Sequence, residues 1–165
     1  VLIVQDDGHI VNPSMWTDDY LLYDYIGAPW PNSYQWNKRW EKYDNKSIVF
    51  NSKKNRVGNG GFSLRSRKFL DYSSNFSDCE GYAEDVYLCL VKYQEAINKD
   101  IKFAPFEIAK KFSYEVPLGG IFNNKEKKNI NFNIEDHFGW HGKRFKNSEE
   151  LMELKFSEEE FYSGR

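Results

Sequence analysis

The chain has 165 residues, 40% of them hydrophobic and 29% charged, a balance that supports a packed core and excludes wholesale disorder. A net charge of −2 implies no broad basic surface, so nucleic acid is not the expected partner. The longest aliphatic run, Val1–Val4, is far too short to cross a membrane.

Val1–Gln5 reads as a buried strand: short, β-branched and ended by polar residues. It opens with no Met, turn or cap, like the middle of a larger fold, and no basic segment of a signal peptide precedes it. Asp6-Asp7-Gly8 follows at its C-terminal end, where open α/β sheets bind ligands. Asn12-Pro13 offers a cap and first-turn proline for a short helix to about Tyr23. Residues 24–30 start strand-like and stop at Pro29. Residues 31–56 read as a long loop with one strand at Ile48–Phe50. Gly58-Asn59-Gly60-Gly61 is a turn cluster, Phe62–Leu64 a strand, and Ser66 a cap for a helix over Arg67–Tyr72.

Residues 73–83 are polar loop. Glu84–Asn98 is the best helix, with Glu84 and Asp85 in its first turn where carboxylates suit the dipole. Ile101–Ala104 reads as a strand, Phe106–Phe112 as one or two helical turns, and 115–134 as loop. Ser148 caps a last helix, Glu149–Phe156. Cys79 and Cys89 are expected to be free thiols, one in a loop and one buried. The whole is a mixed α/β chain, read as one domain.

Four clusters can carry chemistry. Adjacent carboxylates at Asp6-Asp7, fixed by a strand, suit a hard cation such as manganese or magnesium; a solvated Asp-Gly turn is the plainer reading. The glycines at 58–61 let backbone approach a ligand closely, or simply turn a hairpin. Glu84-Asp85 can supply a general base, or only complement the helix dipole. His137 and His141 are candidate ligands on a segment whose glycines argue for a loop, although either can be an ordinary surface residue. Aromatic residues make up 18% of the chain, with 5 Trp, 11 Tyr and 13 Phe, and require burial or a surface on which sugars stack.

Together these clusters resemble a glycosyltransferase of the A-type fold. Gln5-Asp6-Asp7 is similar to the DxD metal motif of that superfamily. A glycine-rich strand start, an acidic pair and a late histidine follow in the order seen in inverting galactosyltransferases. The chain more closely resembles an uncharacterised glycosyltransferase-like family, through DYIGAPW (24–30), VGNGGFSLRSR (57–67), EDV (84–86), KFAPFEIAKKFSYE (102–115) and FGWHG (138–142). The resemblance implies an α/β fold with a GT-A-like mixed sheet flanked by helices. This chain would be its C-terminal metal and acceptor part, without the N-terminal nucleotide-binding units.

It also implies metal-dependent, inverting transfer of a sugar from a nucleotide-sugar, a UDP-sugar by preference, to a hydroxyl of a glycan or glycoconjugate. Asp7 and His141 would hold manganese or magnesium. Asp6, Asn59, Gly60 and Gly61 would line the donor side. Asp85 would be the catalytic base and Glu84 would bind acceptor hydroxyls. Tyr25, Trp30, Phe62 and Trp140 would form the acceptor wall. A carbohydrate-binding module and a metal-dependent phosphohydrolase are the competing readings; a shared cleft for Asp7, Asp85 and His141 favours the transferase.

Overall fold

The computed structural model describes residues 1–30, 54–115 and 134–142. The expected strand at 48–50 and helix at 149–156 lie outside those residues, as does most of the loops expected at 31–56 and 115–134. The described part is mixed α/β. Its strands are β1 (Leu2–Val4), β2 (Gly8–Ile10), β3 (Tyr25–Gly27), β4 (Phe62–Arg65), β5 (Ser113–Glu115) and β6 (Gly139–His141).

The first sheet has the order β1-β4-β3, antiparallel throughout, with Val4 opposite Phe62 and Ile26 opposite Leu64. Side chains alternate across a strand. Phe62, Leu64 and Ile26 therefore enter one core, with Tyr20, Val57, Ala109, Phe112 and Phe138. Tyr25 enters the other, with Trp30, Phe69, Tyr72 and Val86–Leu90. Pairing with β4 on one side leaves β1 at an edge, where Val1 is 66% and Val4 46% exposed. The expectation of a buried strand is corrected: β1 is half-buried and, among the described residues, pairs on one side only. The ladder runs on past β1, where Gln5 N–H donates to Gly61 O at 2.9 Å. Gly8 N–H then donates back to Gln5 O at 2.9 Å, closing a turn with Asp6 and Asp7 at its corners.

The second sheet has the order β2-β6-β5, with β2 antiparallel and β5 parallel to the central β6. The glycines around His141 do not make a loop there. Gly139 lies inside a strand, and a Cβ on it would come within 2.1 Å of the Phe62 ring. Such a glycine marks the close approach of a neighbour.

Asn12 caps as expected, accepting from Ser14 N–H. The segment forms two 3₁₀ turns, Pro13–Met15 and Asp18–Leu22, in place of one helix, because Thr17 makes a second cap between them. Helix α1 (Arg67–Ser73) starts where Ser66 Oγ accepts from Phe69 N–H at 3.0 Å. The helix expected over 84–98 is interrupted. Its first turn, α2 (Glu84–Val86), widens into a π-helical turn at Tyr87–Val91, sealed by Lys92 N–H to Tyr87 O at 2.8 Å, before α3 (Tyr93–Asn98). The wide turn buries four consecutive side chains, Tyr87, Leu88, Cys89 and Leu90. Asn55 bridges it to the glycine segment, donating to Cys89 O at 3.0 Å and accepting from Val57 N–H at 2.9 Å.

Residues 101–104 make one bridge, Phe103 to Tyr25, and no strand, and α4 (Phe106–Phe112) follows. Both cysteines are free, with Cys79 half-buried and Cys89 buried. Among the described residues no helix is long and apolar enough to cross a membrane.

Candidate functional site

The register of the second sheet sets Gly8, His141 and Glu115 side by side on three strands. Asp7 precedes Gly8, and its backbone carbonyl accepts from Gly142 N–H at 3.1 Å. This places Asp7 Oδ1 3.1 Å from His141 Nε2, with Gln5 Oε1 3.2 Å from the same nitrogen. Glu115 Oε1 lies 3.3 Å from the other ring nitrogen, Nδ1. That contact is an ion pair by distance, with no aligned hydrogen bond at Nδ1. The side chains of Asp7 and His141 are 13% and 14% exposed, so both are largely shielded from water. Burial alone would push the His141 pKa down; the Glu115 and Asp7 carboxylates outweigh it and hold the pKa above its ordinary value.

Gly60 and Gly61 lie between that group and a second one. Gly61 packs its bare Cα against the imidazole, and a Cβ there would fall 1.9 Å from His141 Nε2. On the neighbouring residue, Gly60 N–H donates to Asp85 Oδ2 at 3.2 Å, while Val86 N–H donates to Asp85 Oδ1 at 2.8 Å. Two backbone donors thus fix the Asp85 carboxylate. Consecutive Cα atoms are about 3.8 Å apart, so Asp85 and His141 flank one short stretch of backbone. Asn59 shapes that stretch from inside: it is 4% exposed, and its Oδ1 accepts from Gly61 N–H at 3.3 Å.

Glu84 is tied to Arg65 by two contacts, of 2.5 and 3.2 Å. The Arg65 side chain is only 9% exposed and lies over the Tyr25 and Phe69 rings at 5.3 and 5.9 Å. Burial opposes its charge, the carboxylate of Glu84 restores it, and the net direction of its pKa is upward.

The structure brings Asp7, His141, Gly60, Gly61, Asp85 and Glu84 together. Asp6 is apart from them at the exposed corner of its turn. The aromatic wall is corrected. Tyr25, Phe62 and Trp140 are 0% exposed and Trp30 5%, so none presents a ring to a ligand. Tyr25 donates its hydroxyl to Gly58 O at 2.7 Å, and burial pushes its pKa well above the usual value. Phe62 packs on Phe112 and Phe138, and Trp140 points to the sheet face opposite His141. Among the described residues most aromatic rings pack into the two cores. His137 is also internal, with Nδ1 2.6 Å from Lys110 O.

Sequence reasoning missed Glu115, Arg65 and Asn55, and it placed Gln5 in the DxD-like motif without giving it a role at the site. Gln5 adjoins the acidic pair, and an arginine inside an alternating strand is a visible signal for Arg65. Glu115 reaches the site through a parallel pairing that local sequence does not reveal.

One carboxylate oxygen, one amide oxygen and one imidazole nitrogen converge within 3.2 Å at Nε2, a mixed set that suits manganese. Among the described residues no three His, Cys, Asp or Glu side chains form a ready-made metal cage. A cation held by Asp7 and His141 would need further oxygen ligands to complete its coordination.

The chain belongs to the family described as "Protein of unknown function (DUF5672)", whose pattern it matches over residues 1–132. No curated protein and no solved structure matches it.

Proposed function

We propose that this member of the family is a metal-dependent, inverting glycosyltransferase of GT-A-like architecture, moving a sugar from a nucleotide-sugar to a hydroxyl of a glycan or glycoconjugate. The observation that carries the reading is the placement of Asp7 with His141 and of Asp85 on either side of Gly60-Gly61. Asp7 and His141 hold manganese or magnesium, with Gln5 Oε1 beside them. When bound, the cation neutralises negative charge on the departing diphosphate.

Asp85 acts on the acceptor. Its carboxylate takes the hydroxyl proton as the new bond forms at the anomeric carbon and the bond to the diphosphate oxygen breaks. The fixed orientation of Asp85 supports this role, because general-base help depends on a base already aimed at its proton. Arg65 holds Glu84 at the rim, leaving its carboxylate half-exposed for acceptor hydroxyls. Asn59 keeps the two glycines in place, and their missing side chains leave room for donor and acceptor to meet.

Burial of Tyr25, Trp30, Phe62 and Trp140 takes those four rings out of any sugar-stacking surface, so they lend no support to a carbohydrate-binding module. The phosphohydrolase reading shares Asp7 and His141 but has no use for a positioned Asp85. The test is a manganese-dependent screen of UDP-sugars with and without sugar acceptors. Acceptor-dependent release of UDP that disappears in Asp7→Asn is expected. Release that ignores acceptors, or full turnover by Asp7→Asn, would defeat the proposal.

A further inference from the structure

We infer that Glu115 is a positioning residue, which orients the His141 ring so that Nε2 faces the cation site. The inference rests on the reading of Asp7 and His141 as metal ligands. Three constraints meet on this one ring. Gly61 backbone covers its face, Asp7 and Gln5 stand at Nε2, and Glu115 stands 3.3 Å from Nδ1. An imidazole that binds a cation through Nε2 must carry its proton on Nδ1. A carboxylate at that edge favours this tautomer against the pull of Asp7 and Gln5 at Nε2, and raises the basicity of the ligating nitrogen.

The placement comes from the fold. The parallel pairing of β5 with β6 puts Glu115 directly opposite His141, on the same sheet face, and Gly8 opposite it on the other side leaves the flank open toward Asp7. Among the described residues Glu115 is the ring's partner at Nδ1 and stands away from Nε2, so it contributes orientation without competing for the cation. A half-buried setting, with the side chain 26% exposed, keeps the contact out of bulk water. Nothing in this arrangement requires Glu115 to touch substrate.

The experiment titrates manganese alone into the full chain and reads free metal by electron paramagnetic resonance, comparing wild type, Glu115→Leu and Glu115→Gln. Nitrogen NMR of His141, on metal-free protein at alkaline pH, reads the tautomer. Glu115→Leu is expected to weaken manganese binding by about 10- to 100-fold and to move the proton off Nδ1. Glu115→Gln, which keeps an acceptor oxygen, is expected to fall between the two. Wild-type affinity with an unchanged tautomer in Glu115→Leu overturns the inference. If the leucine variant does not fold, wild-type affinity in Glu115→Gln overturns it equally. A wild type that binds no manganese overturns the metal reading instead, and the tautomer comparison then decides the orienting role by itself.

Discussion

Two adjacent glycines make the sharpest test of how the site is packed. A Cβ added at Gly61 would lie 1.9 Å from Nε2, 2.2 Å from Cε1 and 2.3 Å from Cδ2 of His141. Ordinary contact begins at 3.4 Å, so the ring must withdraw by the difference between 3.4 and 1.9 Å, about 1.5 Å. A retreat of that size breaks the 3.1 Å contact with Asp7. Overpacking of this kind costs about 1–3 kcal/mol. A chain of this length loses about 2–4 °C of melting temperature per kcal/mol, so Gly61→Ala should melt about 2–12 °C lower.

Gly60 is the control. Its added Cβ would meet Arg65, Asp85 and Glu84 at 3.2–3.3 Å, a tightness that small shifts relieve. Gly60→Ala should therefore cost less than about 1 kcal/mol. Neither glycine has positive φ, so backbone strain does not separate the two. Thermal and urea melts of the three proteins, side by side, give the answer. Equal stability of Gly61→Ala and wild type, or greater damage from Gly60→Ala, would refute the packing argument.

Other outcomes follow from the same contacts. Asp85→Asn should lower turnover by about 10²- to 10⁴-fold with donor binding retained, the range of general-base catalysis; equal loss of donor binding, measured by calorimetry, would make Asp85 a ligand contact instead. Arg65→Met should destabilise by about 1.5–3 kcal/mol, the worth of hydrogen bonds to a charged group. It stays below a fully buried pair because Glu84 keeps 46% exposure and can rehydrate. Urea unfolding checks it, and an unchanged midpoint counts against the pair.

His137 makes acid stability pH-dependent. Burial, partly offset by its contact with Lys110 O, lowers its folded pKa below 6.5. The unfolded chain then binds more protons, so this contribution is complete above 6.5 and is lost as pH falls through the folded value. His141 has the opposite sign: its raised pKa contributes stability below 6.5 that is lost as pH rises through the folded value. Chemical unfolding across that window should show a steeper acid loss in His141→Gln and a shallower one in His137→Gln. The reverse order would contradict both assignments.

Much of the local structure is legible in the residues because its causes are local. Ser66 and Asn12 cap where short polar side chains precede helical turns, and Phe106–Phe112 forms its helix as patterned. The acidic pair, the glycine cluster and Glu84-Asp85 stand out for the same reason. Thr17 was harder, since two competing caps a few residues apart favour two short turns over one helix. The π-helical turn at Tyr87–Val91 was hidden because four successive buried side chains answer to cores from elsewhere in the chain.

By itself, the sequence determined which residue types were on hand: a carboxylate after a strand, bare glycines before another, and a base at a helix start. These depend on backbone preferences and hydrogen bonds between near neighbours. Only the tertiary structure decided which of them meet. It turned the candidate aromatic wall into core, because Tyr25, Trp30, Phe62 and Trp140 each lie between elements distant in sequence. It placed His141 in a strand beside Glu115 rather than in a loop, because β-register pairs residues that no local pattern links. Burial and register are properties of the assembled sheets, and so was the neighbourhood of Asp7, His141 and Asp85.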